Sequence, residues 1–175
     1  MDVIVSHVNA DFDCLGGLVG GRRLYPGAEM VLPGGESGPV ARFLSLHRNA
    51  LTFRRPTEID PETITRVVVV DTTFRRRLGP AAAWLDLPEV EVHLYDHHLD
   101  APGDIAAREA HLEPWGSVSA IIAHCLRARA ITPTPIEATT LLLGIYEDTG
   151  SLSYAGTRPE DLEAAAWLLR CGADL

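Results

Sequence analysis

Residues 66–73 read RVVVVDTT, and this octet decides the fold. Four consecutive valines leave no polar side chain on either face, so a strand at 66–70 must be buried on both sides. That is the position of an inner strand in a parallel sheet covered on both faces. Asp71 ends the run with a carboxylate, which a strand end can present but an apolar strand interior does not tolerate. Working outward, residues 2–6 (DVIVS) read as a second buried strand and residues 29–32 (EMVL) as a short third. Residues 90–95 (VEVHLY) alternate apolar and polar, as a strand nearer the edge does. Helical stretches separate them: 13–24, rich in small residues and ended by Tyr25, Pro26 and Gly27; then 37–47, 117–129, 135–147 and 159–171, the last with Pro159 at its start and Gly172 at its stop. Strands alternating with helices predict a Rossmann-like three-layer α/β/α domain with a mainly parallel sheet of about five strands. Residues 1–175 are expected to form a single domain.

Hydrophobic residues make up 46% of the chain and charged residues 22%, enough for a real core. No apolar run approaches the roughly 18 residues of a membrane-spanning helix. The start, MDVIVSHVNADFD, is polar where a signal peptide needs its apolar stretch, so a cytoplasmic location is expected. All 15 basic residues are arginine, and the missing lysine excludes a P-loop. A net charge of −9 gives no broad basic surface for duplex DNA. Two divalent cations, with about four positive charges at one place, would still draw in an anionic substrate. Cys14, Cys125 and Cys171 are far apart with no CxxC pair, which argues against a disulfide framework or zinc ribbon and for buried free thiols.

The unusual residues follow the strands. His7, Asp11 and Asp13 come after the first, Asp71 after the valine run, and Asp96, His97 and His98 after residues 90–95. Open parallel sheets bind ligands beyond the carboxyl ends of their strands, so these segments are expected to meet at one rim. A fourth segment, TTLLLGIYEDTGSLSY at 139–154, places Glu147 and Asp148 at the end of an apolar helix. The helix macrodipole disfavours acids there, unless one of them faces a cation. Carboxylates as close as Asp11, Asp13, Asp71 and Asp148 would raise each other's pKa, and divalent cations remove that cost. Mixed Asp and His donors suit Mn²⁺, Mg²⁺, Co²⁺ or Zn²⁺, and the lack of thiolates argues against a cysteine-type structural zinc site. Two ions about 3.5–4 Å apart stabilise both the attacking and the leaving oxygen of an in-line displacement. A lone Asp or His after a strand is more often a cap. Four such segments in order, each at an element end, are a far more specific signal.

These residues resemble a known family. HVNADFD at 7–13 resembles its first motif, His-x-x-x-Asp-x-Asp; Asp71 in VVVVDTT resembles the second, Asp96-His97-His98 the third, and Asp148 in YEDTGSLSY the fourth. The family is the DHH phosphoesterase superfamily, which includes single-strand exonucleases, oligoribonucleases, cyclic dinucleotide phosphodiesterases and manganese-dependent inorganic pyrophosphatases. The resemblance implies two divalent cations, Mn²⁺ ahead of Mg²⁺ or Co²⁺. It implies that His7 and Asp11 hold one ion, that Asp13, His97 and Asp148 hold the other, and that Asp71 bridges them. Asp96 would orient a histidine, and His98 would face the substrate phosphate.

The flanking text (HVNADFDCLGG, LLGIYEDTGSLSY, DLEAAAWLLRCGADL) is similar to the amino-terminal segment of large bacterial poly(A) polymerase/tRNA nucleotidyltransferase-like proteins. That likeness implies further domains of a longer parent, with the usual companion domain absent from this chain. The implied activity is hydrolysis of a phosphodiester or phosphoanhydride in a nucleotide or short single-stranded RNA. A manganese-dependent pyrophosphatase stands beside it, as does a non-catalytic metal-binding or regulatory module.

Other features have two readings. Gly16, Gly17, Gly20 and Gly21 do not match GxGxxG and point to close helix packing. Arg75, Arg76 and Arg77 suit either a phosphate grip or a solvated face. Gly116, Ser117 and Ser119 open a helix whose backbone N–H groups could meet an anion or simply be capped. Tyr146 and Tyr154 flank Asp148 and could stack a base. His47, His93, His111 and His124, with Trp84, Trp115 and Trp167, read as structural or surface residues.

Overall fold

The computed structural model describes residues 1–175. Five parallel strands run β1 (Asp2–Val5), β2 (Glu29–Val31), β3 (Arg66–Val70), β4 (Glu91–Asp96) and β5 (Glu109–Leu112), in the order β2-β1-β3-β4-β5. The valine strand sits at the centre and feeds both faces, as side-chain alternation requires. Val68 and Val70 join Ile4, Met30 and Tyr95 in one core cluster. Val67 and Val69 join Val3, Val5, Val92 and Leu94 in the other.

The first face is covered by α1 (Phe12–Leu24), α3 (Val118–Ala128), α4 (Pro135–Asp148) and α5 (Pro159–Arg170), with Phe43 and Leu44 of α2 (Gly38–His47) packed against the same cluster. The second face has a different cover. Short 3₁₀ turns at Pro56–Glu58 and Pro61–Thr63 and a kinked one at Arg75–Asp86 bring Ile59, Ile64, Leu78, Ala81 and Trp84 onto it. The third layer is thus 3₁₀ rather than α. Gly79, at φ 54 and ψ −134, and Pro80 break any helical run through 75–86. β5 is the strand that residue pattern did not reveal: Glu109, Ala110 and Leu112 are exposed at the sheet edge. No helix is long and apolar enough to cross a membrane.

The glycine-rich character of α1 is explained by packing. A Cβ on Gly20 would lie 2.5 Å from Ile122 Cγ2 and 2.9 Å from Leu141 Cδ2. One on Gly144 would lie 2.9 Å from Phe12 O and 3.0 Å from Asp13 Cα. Small residues let α1 and α4 approach until the start of one helix meets the end of the other. That approach matters for the site, because α1 begins beside Asp13 and α4 ends at Asp148.

The sheet order also fixes where a ligand belongs. From β1 the chain crosses to β2 on one side, while β3, β4 and β5 extend on the other. The carboxyl ends of β1 and β3 therefore form the topological switch point, where doubly wound sheets bind ligands. Val5 pairs with Val69, and Val70 with Tyr95, so the residues following all three strands emerge side by side.

Candidate metal centre

His7 leaves β1 with its Nδ1 donating to Val8 O at 2.7 Å, which leaves Nε2 as the free lone pair. That Nε2 lies 3.2 Å from Asp71 Oδ2 and 3.8 Å from Asp11 Oδ2. Asp11 is also the N-cap of α1, accepting the Cys14 N–H at 2.9 Å through its other oxygen. Asp71 adopts φ 64, the left-handed region in which Asp is tolerated, and this turns the chain out of β3. Its Oδ1 lies 3.5 Å from His97 Nε2 and 3.7 Å from His98 Nδ1, yet has no hydrogen-bond partner.

His97 repeats the arrangement of His7. Its Nδ1 donates to Trp115 O at 3.2 Å. Its Nε2 is left among three carboxylates, 3.2 Å from Asp148 Oδ2, 3.5 Å from Asp71 Oδ1 and 3.6 Å from Asp13 Oδ2. None of these contacts has hydrogen-bond geometry, so Nε2 is also buried and unpaired. Asp96 is buried, and its Oδ1 accepts the backbone N–H groups of His97 and His98 and the Nδ1–H of His98 at 2.8 Å. Asp13 is fully buried, with one oxygen accepting from Val118 N–H at 2.7 Å and the other from Ser119 N–H at 2.9 Å. Asp148 is the last residue of α4. Its neighbour Glu147 points elsewhere and accepts the Phe12 N–H at 2.6 Å, satisfying one of the orphan donors at the start of α1.

The electrostatics show what so many acids cost. Burial first, then the charges of Asp71 and Asp148, push the Asp13 carboxyl well above the usual carboxylate range. The two backbone N–H bonds pull the other way. Burial favours neutral His97, but its contacts with Asp148 and Asp71 and the charge of Asp13 outweigh this, and its pKa is pushed up to about 11. Burial also works against ionised Asp71, yet His7 and His97 hold it below the usual carboxylate range. His7 is raised despite its burial, chiefly by Asp71. A proton on His97 thus occupies the place in which a cation would neutralise the same carboxylates.

Three donor groups result, each with its atoms within 4.8 Å of one another: His7, Asp11, Cys14 and Asp71; Asp71, Asp96, His97 and His98; and Asp13, His97 and Asp148. Asp71 belongs to two of them. Nitrogen and oxygen donors, together with the unpaired Asp71 Oδ1 and His97 Nε2, fit divalent cations.

Every residue expected at the rim is there: His7, Asp11, Asp13, Asp71, Asp96, His97, His98 and Asp148. Cys14, a buried free thiol as expected, also joins them, whereas the free thiols Cys125 and Cys171 are only partly buried. The Cys14 Sγ lies 2.9 Å from His7 Nε2 and 3.1 Å from Asp71 Oδ2. Its place one residue after Asp13 was the available signal. The start of α3 is not an anion site, because Asp161 takes the Gly116 N–H, Asp13 takes those of Val118 and Ser119, and Ser117 Oγ takes that of Ala120. Arg75 is paired with Asp86, and Arg76 lies over the Phe74 ring. Tyr146 packs against the core, whereas Tyr154 lines a groove of about 360 Å³ with His97, His98, Trp115, Asp148 and Arg158. A larger concavity, of about 570 Å³, at the far end of α1 among Arg22, Arg23 and Ile131 contains none of the rim donors.

No family model matches the chain. It is 46% identical over 176 residues to an A-adding tRNA nucleotidyltransferase of Geobacter sulfurreducens, covering 100% of this chain and 20% of that protein. It is 32% identical over 176 residues to an A-adding tRNA nucleotidyltransferase of Aquifex aeolicus, covering 99% of this chain and 20% of that protein. The chain therefore spans about a fifth of the length of these curated relatives. Among solved structures it superimposes on an exopolyphosphatase-related protein of Bacteroides fragilis with a TM-score of 0.82 at 20% identity, covering 99% of this chain and 53% of that one. A candidate family II inorganic pyrophosphatase of Methanococcus jannaschii gives a TM-score of 0.77 at 20% identity, covering 98% of this chain and 56% of that one. These two likenesses concern the fold, and the first two concern descent. Its motif order and 2-1-3-4-5 parallel sheet are consistent with a DHH-type domain, and the chain is homologous to one segment of the A-adding tRNA nucleotidyltransferases.

Proposed function

We propose that this domain is a divalent-metal-dependent phosphohydrolase that cleaves a phosphodiester or phosphoanhydride bond of a nucleotide or short single-stranded RNA. One observation carries the reading: the Asp71 carboxylate lies between two donor groups, Oδ2 toward His7 and Oδ1 toward His97. In this assignment His7 and Asp11 hold one ion, Asp13, His97 and Asp148 hold the other, and Asp71 serves both. Mn²⁺ is the expected metal, with Mg²⁺ or Co²⁺ as alternatives. When bound, such a pair supplies positive charge to both the attacking and the leaving oxygen.

The chain's own residues do the rest. Asp96 fixes His98 through Nδ1, so the opposite ring nitrogen is free, and the exposed His98 side chain lines the groove. From there it can bind a phosphate oxygen or protonate a leaving oxygen, a role worth about 10²–10⁴-fold in rate. The Val8 and Trp115 carbonyls hold His7 and His97 with Nε2 turned inward. Tyr154, Trp115 and Arg158 give the groove flat and cationic surfaces suited to a nucleotide. Three free cysteines fit a reducing, cytoplasmic setting.

A second reading is favoured by the relatives. Nucleotidyl transfer from a nucleoside triphosphate releases pyrophosphate, and one fold neighbour carries a pyrophosphatase name. Hydrolysis of pyrophosphate by this domain would pull such a transfer forward. The test is to supply Mn²⁺ with a short oligoribonucleotide, a nucleotide or pyrophosphate, to this chain and to the parent protein with all its domains. Chelator-sensitive hydrolysis is expected, and the favoured substrate separates the two readings. Metal binding with no hydrolysis of any substrate by either form would make the domain a regulatory module.

A further inference from the structure

The sulfur of Cys14 is in an unusual place for a core thiol. It is fully buried, yet it lies 2.9 Å from Ser6 Oγ, 2.9 Å from His7 Nε2 and 3.1 Å from Asp71 Oδ2. His7, Asp11, Cys14 and Asp71 offer four donor atoms within 4.8 Å of one another, whereas Cys125 and Cys171 belong to no such group. Asp71, 1% exposed, turns its Oδ2 toward His7 and Cys14 at this centre, while its other oxygen, which has no hydrogen-bond partner, faces His97. His7 Nε2 is aimed at this point by the Nδ1 bond to Val8 O.

We propose that Cys14 is a direct ligand of the ion held by His7, Asp11 and Asp71, which makes this position a mixed sulfur, nitrogen and oxygen site selecting a thiophilic divalent cation such as Zn²⁺ or Co²⁺ over Mg²⁺. The proposal rests on the metal-dependent reading above. It also distinguishes the two positions. The Cys14 position has four protein donors, the number that closes a tetrahedral zinc site. The position at Asp13, His97 and Asp148 has oxygen and imidazole donors and borders the groove. On binding, the Cys14 S–H bond breaks, its proton leaves to solvent and the sulfur electron pair goes to the cation, so no oxidant or reductant is needed. Space filling alone would account for a small side chain in the first turn of α1, but not for a sulfur within contact distance of an imidazole and a buried carboxylate.

The experiment is a Co²⁺ titration of the metal-free chain, followed by calorimetry and by absorption in the near ultraviolet. The expected result is a sulfur-to-cobalt charge-transfer band that grows with the first equivalent and is absent in Cys14→Ser. The Cys125→Ser/Cys171→Ser double variant, in which Cys14 is the one thiol left, should keep the band, and this measurement decides the matter even if Cys14→Ser fails to fold. Zn²⁺ binding should weaken at least about tenfold in Cys14→Ser, with Mn²⁺ binding less affected. Calorimetric binding of Co²⁺ without the band, or a band that persists in Cys14→Ser, overturns the proposal. No binding of Co²⁺ at all overturns the metal-dependent reading itself and removes this proposal with it.

Discussion

Replacing Asp71 with Asn should erase most of the stabilisation expected from Mn²⁺ binding to this domain. The substitution isolates charge: Asn has nearly the same shape and, like Asp, tolerates the left-handed backbone at φ 64, where Ala would add strain. In the native protein at a cation concentration of about 100 times Kd, each bound ion adds about 2.7 kcal/mol. A domain of this size gains about 2–4 °C in Tm per kcal/mol, so each ion should raise Tm by about 5–11 °C. Because Asp71 Oδ2 faces His7 and Oδ1 faces His97, the loss of its charge weakens both positions at once.

A 100-fold weakening, the upper end of what even an indirect partner costs a metal site, leaves each ion contributing about 0.4 kcal/mol at the same concentration. The Mn²⁺-induced shift should then shrink to about 1–2 °C per ion. In the metal-free variant the effects oppose: His7 and His97 lose a counter-charge, while Asp13 loses a repulsive neighbour. The difference in Tm with and without Mn²⁺, measured by thermal denaturation, is therefore the informative quantity. A variant that kept the full native shift would refute the shared-carboxylate assignment.

Other outcomes follow from the same geometry. His97 must lose its proton to bind metal, and its metal-free pKa of about 11 keeps that proton in place near neutrality, so Mn²⁺ affinity should rise about tenfold per pH unit for each proton expelled, by calorimetry between about pH 6.5 and 9. Conversely, His97 stabilises the metal-free fold fully below its unfolded pKa of about 6.5, and that contribution should fade as pH climbs toward about 11. Gly144→Ala would drive a Cβ to 2.9 Å from Phe12 O and 3.0 Å from Asp13 Cα, costing about 1–3 kcal/mol and displacing a metal donor, so both Tm and Mn²⁺ stoichiometry should fall. His98→Gln should lower hydrolysis by about 100-fold or more with Mn²⁺ stoichiometry unchanged, and equal loss of metal would place His98 among the ligands instead.

The rim was legible in the sequence because its residues break a pattern. After RVVVV or DVIV, an acid or imidazole can only stand where a buried strand ends, and parallel strands end on the same side. β5 gave no such contrast: EAHL at 109–112 lies at the sheet edge with one neighbouring strand, and neither of its faces is apolar enough to show a period. The 3₁₀ layer escaped for the opposite reason, since Arg75–Asp86 has helix-forming composition around the Gly79 and Pro80 that interrupt it.

Cys14 shows a different limit. Spacing along α1 tells which residues share a face of that helix, but not which face its first turn presents to β1 and β3. That is set by the approach of α1 to α3 and α4, through Gly16, Gly20 and Gly144, and no single segment encodes it. The same approach brings the start of α3 onto Asp13 and the Phe12 N–H onto Glu147. Backbone donors that looked free to bind an anion are thus spent on holding an acid in place. A buried carboxylate such as Asp13 is costly in isolation, and two backbone N–H bonds offset only part of that cost. The remaining deficit, together with an imidazole nitrogen that three carboxylates surround and none hydrogen-bonds, is the physical reason for expecting cations at this rim.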